Sequence, residues 1–108
     1  MVTGSKKIDK VIHDFTIEVN KQLPDAKIVI FGSYARGEQR PDSDIDIAVF
    51  SDSFNGWKTV DSITFLFRIA NQFNDACIEP IGFGTDDLRS GNPFVMEILS
   101  QGQELQVS

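Results

Sequence analysis

The sequence has few of the features that mark secreted, membrane-spanning or nucleic-acid-binding proteins. It contains a single cysteine, so no disulfide can form within the chain, which favours a reducing compartment. No apolar run approaches the length that crosses a bilayer, and residues 1–7 are not followed by the apolar stretch of a secretory signal. These absences predict a cytoplasmic protein that does not enter a membrane.

Basic residues are also scarce. The chain has 10 lysines and arginines against 16 acidic residues, and its formal net charge is −6. A protein that holds nucleic acid by neutralising phosphates needs the opposite balance, so the composition argues against a nucleic-acid partner and against template-dependent polymerisation. His13 is the only histidine. Without other histidines or cysteines nearby, it is not a candidate for catalysis or metal binding.

The 108 residues suffice for one small domain with a hydrophobic core but not for a second module. No repeat, low-complexity segment or linker divides them, so we expect a single domain over residues 1–108. The sequence leaves open whether the chain forms a homodimer.

Short apolar runs predict the strands of a mixed β-sheet. The run at 27–31 is β-branched and bounded by turn residues, as in a buried strand. A second run follows at 44–50. A third at 76–83 contains Pro80, which indicates an edge strand or the end of a strand. The tail at 104–107 also has strand character.

Helical periodicity accounts for most of the remaining chain. Ser5 can cap a first helix whose apolar face ends at Leu23, and Asn92–Pro93 can start a last helix that Gly102 ends. Between them, residues 57–73 predict a third long helix. Helices alternating with strands indicate an α/β (α+β) fold, in which helices pack on a small mixed sheet.

The helix predicted over 57–73 has an unusually wide apolar arc. One side carries Val60, Ile63, Phe67, Ala70 and Phe73 or Asn74, and the arc is widened by Phe65, Leu66 and Ile69. Two interpretations remain open. The helix lies deeply on the sheet, or part of its apolar face also meets a partner chain.

The turn after the first strand has the features of a phosphate-binding site. Gly32 permits a sharp turn and leaves no side chain to block a ligand. Ser33 stands at the predicted start of a short helix, where unpaired N–H groups favour an anion. Arg36 and Gly37 close that helical turn. Arg36 can then contact a phosphate or form an ion pair with a nearby acid.

Two carboxylates stand at the mouth of the second strand. Asp44 and Asp46 are two positions apart, so both project from one face of a strand, while Ile45, Ile47 and Val49 fill the other. Converging carboxylates repel each other unless a cation lies between them, and Mg²⁺ shared with a polyphosphate suits such oxygen ligands. Beside a phosphate-binding turn, the pair predicts metal-assisted phosphoryl or nucleotidyl transfer.

Together, the two segments resemble a known family. Gly32-Ser33-x-x-Arg36-Gly37 followed by Ser43-Asp44-x-Asp46 is similar to the signature of the DNA polymerase beta nucleotidyltransferase superfamily, and most of all to its minimal nucleotidyltransferase (MNT) branch. The resemblance is sharp over residues 28–50 and weak over the rest of the chain. It implies a polymerase-beta-like fold and Mg²⁺-dependent transfer of a nucleoside monophosphate.

The resemblance also implies roles for the motif residues. Gly32 and Ser33, with Arg36 beside them, would bind the triphosphate of ATP, and Asp44 and Asp46 would bind two Mg²⁺ ions. Members of the family add a third carboxylate from a neighbouring strand, which completes the metal site and helps to deprotonate the attacking hydroxyl.

Glu79 is the candidate for this third carboxylate. It lies within the apolar segment of the third predicted strand, where a charged side chain is rare unless it is paired or functional. Many relatives carry aspartate in this role, and the extra methylene of glutamate moves the oxygen that in-line attack requires. Two alternatives remain: Glu79 is an exposed edge residue without a catalytic role, or Asp75 takes its place.

For the acceptor, the resemblance points to a protein. Similar minimal proteins are paired with a HEPN-family toxic RNase and act as its antitoxin by adenylylating a tyrosine of that partner. The expected activity is therefore transfer of AMP from ATP to a hydroxyl of a HEPN toxin. The alternatives are a weakly active MNT-fold binding module that neutralises its partner by occlusion, and a small-molecule nucleotidyltransferase of the aminoglycoside type.

Other side chains are expected to have structural roles. Cys77 is predicted to be a buried thiol in the third strand, Tyr34 and Glu38 to face solvent or the next loop, and residues 51–56 to form a loop over the site. Six phenylalanines are predicted to lie in the core rather than to stack on bases: Phe31, Phe50, Phe67, Phe73, Phe83 and Phe94.

Overall fold

The computed structural model describes residues 5–40 and 43–105. Helices and strands alternate along this part of the chain, so the predicted α/β fold is confirmed. Their order is α1 (Lys6–Gln22), β1 (Lys27–Phe31), α2 (Ser33–Arg36), β2 (Ile45–Phe50), α3 (Thr59–Ala70), β3 (Ile78–Phe83), α4 (Thr85–Arg89), α5 (Pro93–Gln101) and β4 (Gln103–Leu105). Residues 106 and 107 of the predicted tail lie outside the described residues. Within the described ranges, no helix is long and apolar enough to cross a membrane.

The strands form a four-stranded mixed sheet in the order β3-β2-β1-β4. β1 and β2 are antiparallel, and their register places Phe31 opposite Asp46. β2 and β3 are parallel, with Asp46 opposite Glu79. The end of β1 and the starts of β2 and β3 therefore meet at one end of the sheet. β3 is an edge strand, as Pro80 had indicated.

Helices cover both faces of the sheet. On one face, α1 and α3 pack against the alternate residues Ile45, Ile47 and Val49 of β2. On the other face, α5 packs through Val95 and Ile98. Because side chains alternate along a strand, Asp46 projects toward the face that α5 covers.

The predicted helix ends are confirmed by their hydrogen bonds. Ser5 Oγ accepts a hydrogen bond from the Ile8 N–H at 3.3 Å, which caps α1. Asn92 Oδ1 accepts a hydrogen bond from the Phe94 N–H at 3.0 Å and caps α5. A Cβ on Gly102 would lie 2.5 Å from the Ile98 carbonyl oxygen, so the turn from α5 into β4 requires glycine.

The face of α3 that packs on the sheet differs from the main predicted stripe. Leu66 and Ser62 are buried, whereas Val60 and Phe67 are 62% and 37% exposed. Ser62 sets this orientation, since its hydroxyl accepts a hydrogen bond from the Gly82 N–H of β3 at 3.2 Å. A side chain at Gly82 would collide with Ser62, so helix and strand approach closely there. Part of the apolar arc is consequently left at the surface.

The segment after β2 was predicted to be a loop over the site, and its position was predicted wrongly. It follows the end of β2, whereas Asp46 lies at the start of that strand, so the segment is at the opposite end of the sheet. It contains a 3-10 turn and is anchored at both ends. Asp25 accepts hydrogen bonds from the Ser51 hydroxyl at 2.7 Å and from the Asp52 N–H at 2.8 Å. Asn55 Oδ1 accepts a hydrogen bond from the Asp86 N–H at 3.0 Å. These bonds tie the segment to the α1–β1 connection and to α4.

The predictions for four single side chains were wrong. Tyr34 does not face solvent, because the single turn of α2 directs it into the core on the α1 side of the sheet. Cys77 is exposed rather than buried, since β3 begins only at Ile78. Phe67 and Phe94 are 37% and 48% exposed and do not belong to the buried core.

Candidate active site

β1 ends in a turn that glycine alone adopts easily. Gly32 has φ 72° and ψ −149°, a combination that side chains with a Cβ rarely allow. The single helical turn of α2 follows, and Gly37 ends it in the left-handed conformation. The backbone of the turn is therefore open to a ligand at Gly32 and Ser33, as the sequence predicts.

Gly32 is also required by its contact with Asp46. A Cβ on Gly32 would lie 3.1 Å from Asp46 Cγ and closer still to Oδ2, so any side chain would collide with this carboxylate. The contact follows from the register, which pairs Asp46 with Phe31. The two halves of the sequence motif thus meet in space.

Three carboxylates gather at this end of the sheet. Asp46 on β2 and Glu79 on β3 lie side by side in the parallel register, and Asp44 directly precedes β2. Asp46 is half-buried, while Asp44 and Glu79 are exposed. Glu79 is therefore not a buried charge, as its apolar surroundings in the sequence had suggested. Its link to the site is the strand pairing.

The pKa values of two of these carboxyl groups are raised, in part because the groups lie close together. Burial raises the pKa of Asp46, the negative charge of Asp44 raises it further, and Arg36 opposes both. The pKa of Glu79 is raised by desolvation, by the charge of Asp44, by a hydrogen bond with the Asp44 carboxyl group and by the charge of Asp46. Like charges are held together here with little positive charge to offset them.

The structure separates Glu79 from its alternative, Asp75. Asp75 is exposed and lies outside β3, so it does not share the register that pairs Glu79 with Asp46. Its electrostatic contact is with Lys10 of α1, whose pKa is raised mainly by Asp14 and to a small extent by Asp75. Of the two candidates, Glu79 is the one beside Asp44 and Asp46.

The carboxylates have the chemistry of a hard-cation site that a substrate must complete. Within residues 5–40 and 43–105, no three carboxylate, imidazole or thiol side chains converge closely enough to hold a metal ion alone. Mg²⁺ in nucleotide sites is usually held by one or two carboxylates, and phosphates and water supply the other ligands. The repulsion among Asp44, Asp46 and Glu79 is the charge that such a cation would offset. These residues therefore fit Mg²⁺ shared with a polyphosphate.

Arg36 brings positive charge to the site. Its Nε lies 3.5 Å from Glu38 Oε1, and both side chains are largely exposed. An exposed pair of this kind is weak, so Glu38 holds Arg36 only loosely. The predicted ion pair is thus present, and the phosphate contact of Arg36 stays a prediction with which this weak pairing is compatible.

Two clefts meet at Asp46. The first, which we call the glycine cleft, has a volume of about 350 Å³ and lies on the β1 side. It is lined by Phe31, Gly32, Ser33, Arg36, Asp46, Phe94, Glu97, Ile98 and Gln101. It contains the turn at Gly32, which the sequence predicts to bind phosphate, and a basic side chain, together with one face of α5.

The second, which we call the apolar cleft, has a volume of about 430 Å³ and lies on the β3 side. It is lined by Phe31, Asp46, Ile63, Phe67, Glu79, Pro80, Ile81 and Phe94. Phe31 and Phe94, whose rings meet edge to face at 6.4 Å, border both clefts. Asp46 and this aromatic pair thus separate the two.

The sequence predictions missed the contribution of α5. Phe94, Glu97 and Gln101 line the glycine cleft, although they lie far from the motif in the chain. A signal existed, since these three residues are spaced three and four apart and so share one helical face. The pattern did not indicate where that face would dock.

Comparison with known proteins agrees with this geometry. A family model described as a nucleotidyltransferase domain matches residues 14–82, a range that contains every candidate site residue of the motif together with Glu79. A search of curated proteins found no significant match.

Solved structures share the fold. A candidate nucleotidyltransferase from Sulfolobus solfataricus matches with a TM-score of 0.63 at 20% identity, over 96% of this chain and 89% of that chain. A toxin–antitoxin crystallised with AMP-PNP matches with a TM-score of 0.58 at 26% identity, over 89% of this chain and 73% of that one. A mutant MntA–HpeT toxin–antitoxin, with a tyrosine changed to alanine, matches with a TM-score of 0.53 at 25% identity, over 86% and 70%.

Proposed function

The chain belongs to the nucleotidyltransferase domain family, and we propose that it transfers AMP from ATP to a tyrosine hydroxyl of a HEPN-family toxin, for which it is the antitoxin. The observation that carries this proposal is the contact between Gly32 and the Asp46 carboxylate, which joins a phosphate-binding turn to an acidic cluster. Residues 1–108 would work as one domain. An exposed free thiol at Cys77 suits the cytoplasm.

Two structural neighbours support the donor and the acceptor. One is a toxin–antitoxin crystallised with AMP-PNP, which is an ATP analogue. The other is a toxin–antitoxin in which a tyrosine was changed to alanine. Both match most of this chain at the sequence identities given above. These neighbours support the proposal of ATP as donor and a toxin as partner, and the mutated tyrosine is consistent with a tyrosine as acceptor.

The glycine cleft is the proposed site of the triphosphate. Gly32 leaves the backbone open, Ser33 offers its hydroxyl and N–H, and Arg36 supplies positive charge on the same side. Among the described residues that line the apolar cleft, none is basic. Arg36 shares the glycine cleft with the carboxylates of Asp46 and Glu97, so a cation would be needed there as well. The β1 side of Asp46 is still the side on which a basic side chain would favour a polyanion.

Asp44, Asp46 and Glu79 would hold two Mg²⁺ ions together with the phosphate oxygens. Bound there, the ions would neutralise charge on the reacting phosphate and on the departing pyrophosphate. The chain itself contributes placement, because the parallel register keeps Asp46 and Glu79 side by side. Glu79 lines the apolar cleft and not the glycine cleft, and in this proposal it would accept the proton of the attacking hydroxyl.

A second candidate function is neutralisation by occlusion. It is favoured by the exposure of Glu79 on an edge strand, where the side chain is held less firmly than a buried one. In this case the chain would bind the toxin through its exposed apolar residues and leave it unmodified.

The test is intact mass spectrometry of a HEPN-family partner incubated with this protein, ATP and Mg²⁺. We expect the partner to gain the mass of one or more adenylyl groups. The gain should disappear with Asp44→Asn and persist with Asp61→Asn, an exposed acid on α3 outside both clefts. A partner that is inhibited, tightly bound and unmodified would favour occlusion instead.

A further inference from the structure

The position of the apolar cleft relative to the donor site indicates what the cleft does. The sheet order β3-β2-β1 places it across Asp46 from the glycine cleft. Nucleotidyl transfer requires the attacking and leaving oxygens to lie roughly in line on opposite sides of the reacting phosphorus. With the triphosphate on the β1 side, the attacking hydroxyl must approach from the β3 side. That side is the apolar cleft.

The lining of this cleft is chemically one-sided. Two of its lining side chains, Asp46 and Glu79, are carboxylates, and the others are apolar. Ile63 and Phe67 line it from α3. Among the described residues that line it, no cation offsets the carboxylates. A phosphate-bearing acceptor is disfavoured by this charge, and a sugar would find few hydrogen-bonding partners on the walls.

Two phenylalanines form exposed walls of the cleft. Phe67 is 37% and Phe94 48% exposed, a large apolar surface for a small domain to leave in water. Phe94 is held in place by its ring contacts with Phe31 at 6.4 Å and with Phe83 at 5.9 Å. Phe67 lines the cleft from α3. The wall at Phe94 is therefore fixed by aromatic packing within the chain.

We propose that the apolar cleft is the acceptor site and that Phe67 and Phe94 select a hydroxyl carried on an aromatic ring of a partner protein. This inference rests on the proposed nucleotidyl transfer and adds the residues that choose its acceptor. A phenol is complementary to the cleft in shape and charge. Its ring fills the space between apolar walls, and its uncharged O–H donates toward Glu79 and Asp46.

In the proposed step, the phenolic oxygen forms a bond to the α-phosphorus of ATP. The bond from that phosphorus to the bridging oxygen breaks, and pyrophosphate leaves with the electron pair. The phenolic proton passes to Glu79. The product is a phosphodiester between AMP and the aromatic side chain, and no oxidant or reductant is involved.

Phe67 is the residue to test, because Phe94 also borders the glycine cleft. The probes are N-acetyl-tyrosinamide and N-acetyl-serinamide, assayed as acceptors of label from α-labelled ATP with Mg²⁺. We expect Phe67→Ser to lower kcat/KM for the tyrosine probe roughly 10-fold to 100-fold, mainly through KM. Its affinity for ATP should equal that of the unchanged protein. Val60→Ser is the matched control, since Val60 is 62% exposed on the same helix but outside the cleft.

A second readout does not depend on turnover. The methyl NMR signals of Ile63 and Ile81 should shift when N-acetyl-tyrosinamide is added, in the unchanged protein and in Val60→Ser. The same shifts should be lost or greatly weakened in Phe67→Ser. Thermal melting of both variants checks that they fold.

The possible outcomes distinguish a failure of the acceptor-site inference from a failure of the proposed AMP transfer. If Phe67→Ser and Val60→Ser transfer AMP equally well, or if the serine probe serves as well as the tyrosine probe, the acceptor site lies elsewhere and the inference is overturned. The proposed function would still stand. If the unchanged protein binds ATP but modifies no hydroxyl, including those of a HEPN partner, the proposed function fails and this inference fails with it.

Discussion

The two clefts that share Asp46 are built in different ways. The glycine cleft depends on a short turn and on the strand that follows it, so its polar groups come mostly from neighbouring positions of the chain. The apolar cleft is assembled from α3, β3 and α5, which meet only through long-range packing. The proposed donor site is thus formed mainly by local structure, whereas the proposed acceptor site depends on how separate elements dock. The following predictions test this division.

The largest effect is expected at the carboxylate that both clefts share. Asp46→Asn removes the negative charge that both clefts share. Asp44→Asn removes a second negative charge from the same carboxylate cluster. We expect each variant to lose AMP transfer by at least roughly 100-fold, since charge stabilisation is a dominant part of phosphoryl-transfer catalysis. Circular dichroism should show an unchanged fold. Full activity in both variants would contradict the assignment of the site.

Breaking the turn of the glycine cleft should have the next largest effect. In Gly32→Ala, the new Cβ meets the Asp46 carboxylate and also forces alanine into a positive φ. Gly37→Ala is a close control, because Gly37 has the same φ of 72° but nothing within 4 Å of a Cβ. We expect Gly37→Ala to lose only the roughly 1–2 kcal/mol of a left-handed alanine. Gly32→Ala should lose more stability and most of its ATP affinity in calorimetric titration.

On the apolar side, Glu79→Gln should reduce transfer and raise stability. A raised pKa in the folded state means that ionised Glu79 opposes folding. Relative to the unfolded chain, the folded state favours protonated Glu79. This contribution to stability is fully present below the unfolded pKa of about 4.3 and is lost as the pH rises through the folded pKa. Without Mg²⁺ at pH 7, the variant should therefore melt at a higher temperature than the parent protein, and the difference should shrink toward pH 4.

The control for this experiment is Asp75→Asn, which replaces the alternative carboxylate on the same stretch of chain. It should leave transfer close to that of the parent. If Asp75→Asn abolished transfer and Glu79→Gln did not, the third carboxylate would have to be reassigned.

The smallest effect on transfer is expected far from both clefts. Asp25 accepts hydrogen bonds from Asp52 and Ser51, and these lower its pKa. Its contribution to stability is present above the unfolded pKa of about 3.9 and is lost as pH falls through the lower folded value. Asp25→Asn should lower the free energy of unfolding by up to about 1 kcal/mol at pH 7. Transfer should be unchanged.

Urea unfolding at several pH values checks this prediction. The difference between Asp25→Asn and the parent should narrow as the solution becomes strongly acidic. A loss of stability that is the same at pH 7 and in strong acid would mean that the ionised carboxylate is not what anchors the segment.

Much of the local structure could be predicted from the sequence. The cap of α1 at Ser5, the cap of α5 at Asn92 and the edge position of β3 at Pro80 all follow from short-range rules and are confirmed. The turn at Gly32 was predicted for the same reason. In each case, the residue acts on backbone within a few positions of itself, so its effect does not depend on the rest of the fold.

The errors arose where several packings satisfy the same pattern. The arc of α3 contains more apolar residues than one interface can bury, and periodicity alone favoured Val60 and Phe67. The close fit of Ser62 against Gly82 selects another face. Ser62 is polar and carries no hydrophobic signal, so the sequence pattern did not indicate that its face of α3 would pack on the sheet.

The sequence by itself determined the proposed donor motif, because its groups lie in the turn after β1 and at the start of β2, which are close together in the chain. Only the tertiary structure decided that Glu79 lies beside Asp46, that α5 borders both clefts and that Phe67 faces outward. The physical reason is that strand register and helix orientation are set by the packing of many side chains at once. No short stretch of sequence contains that information.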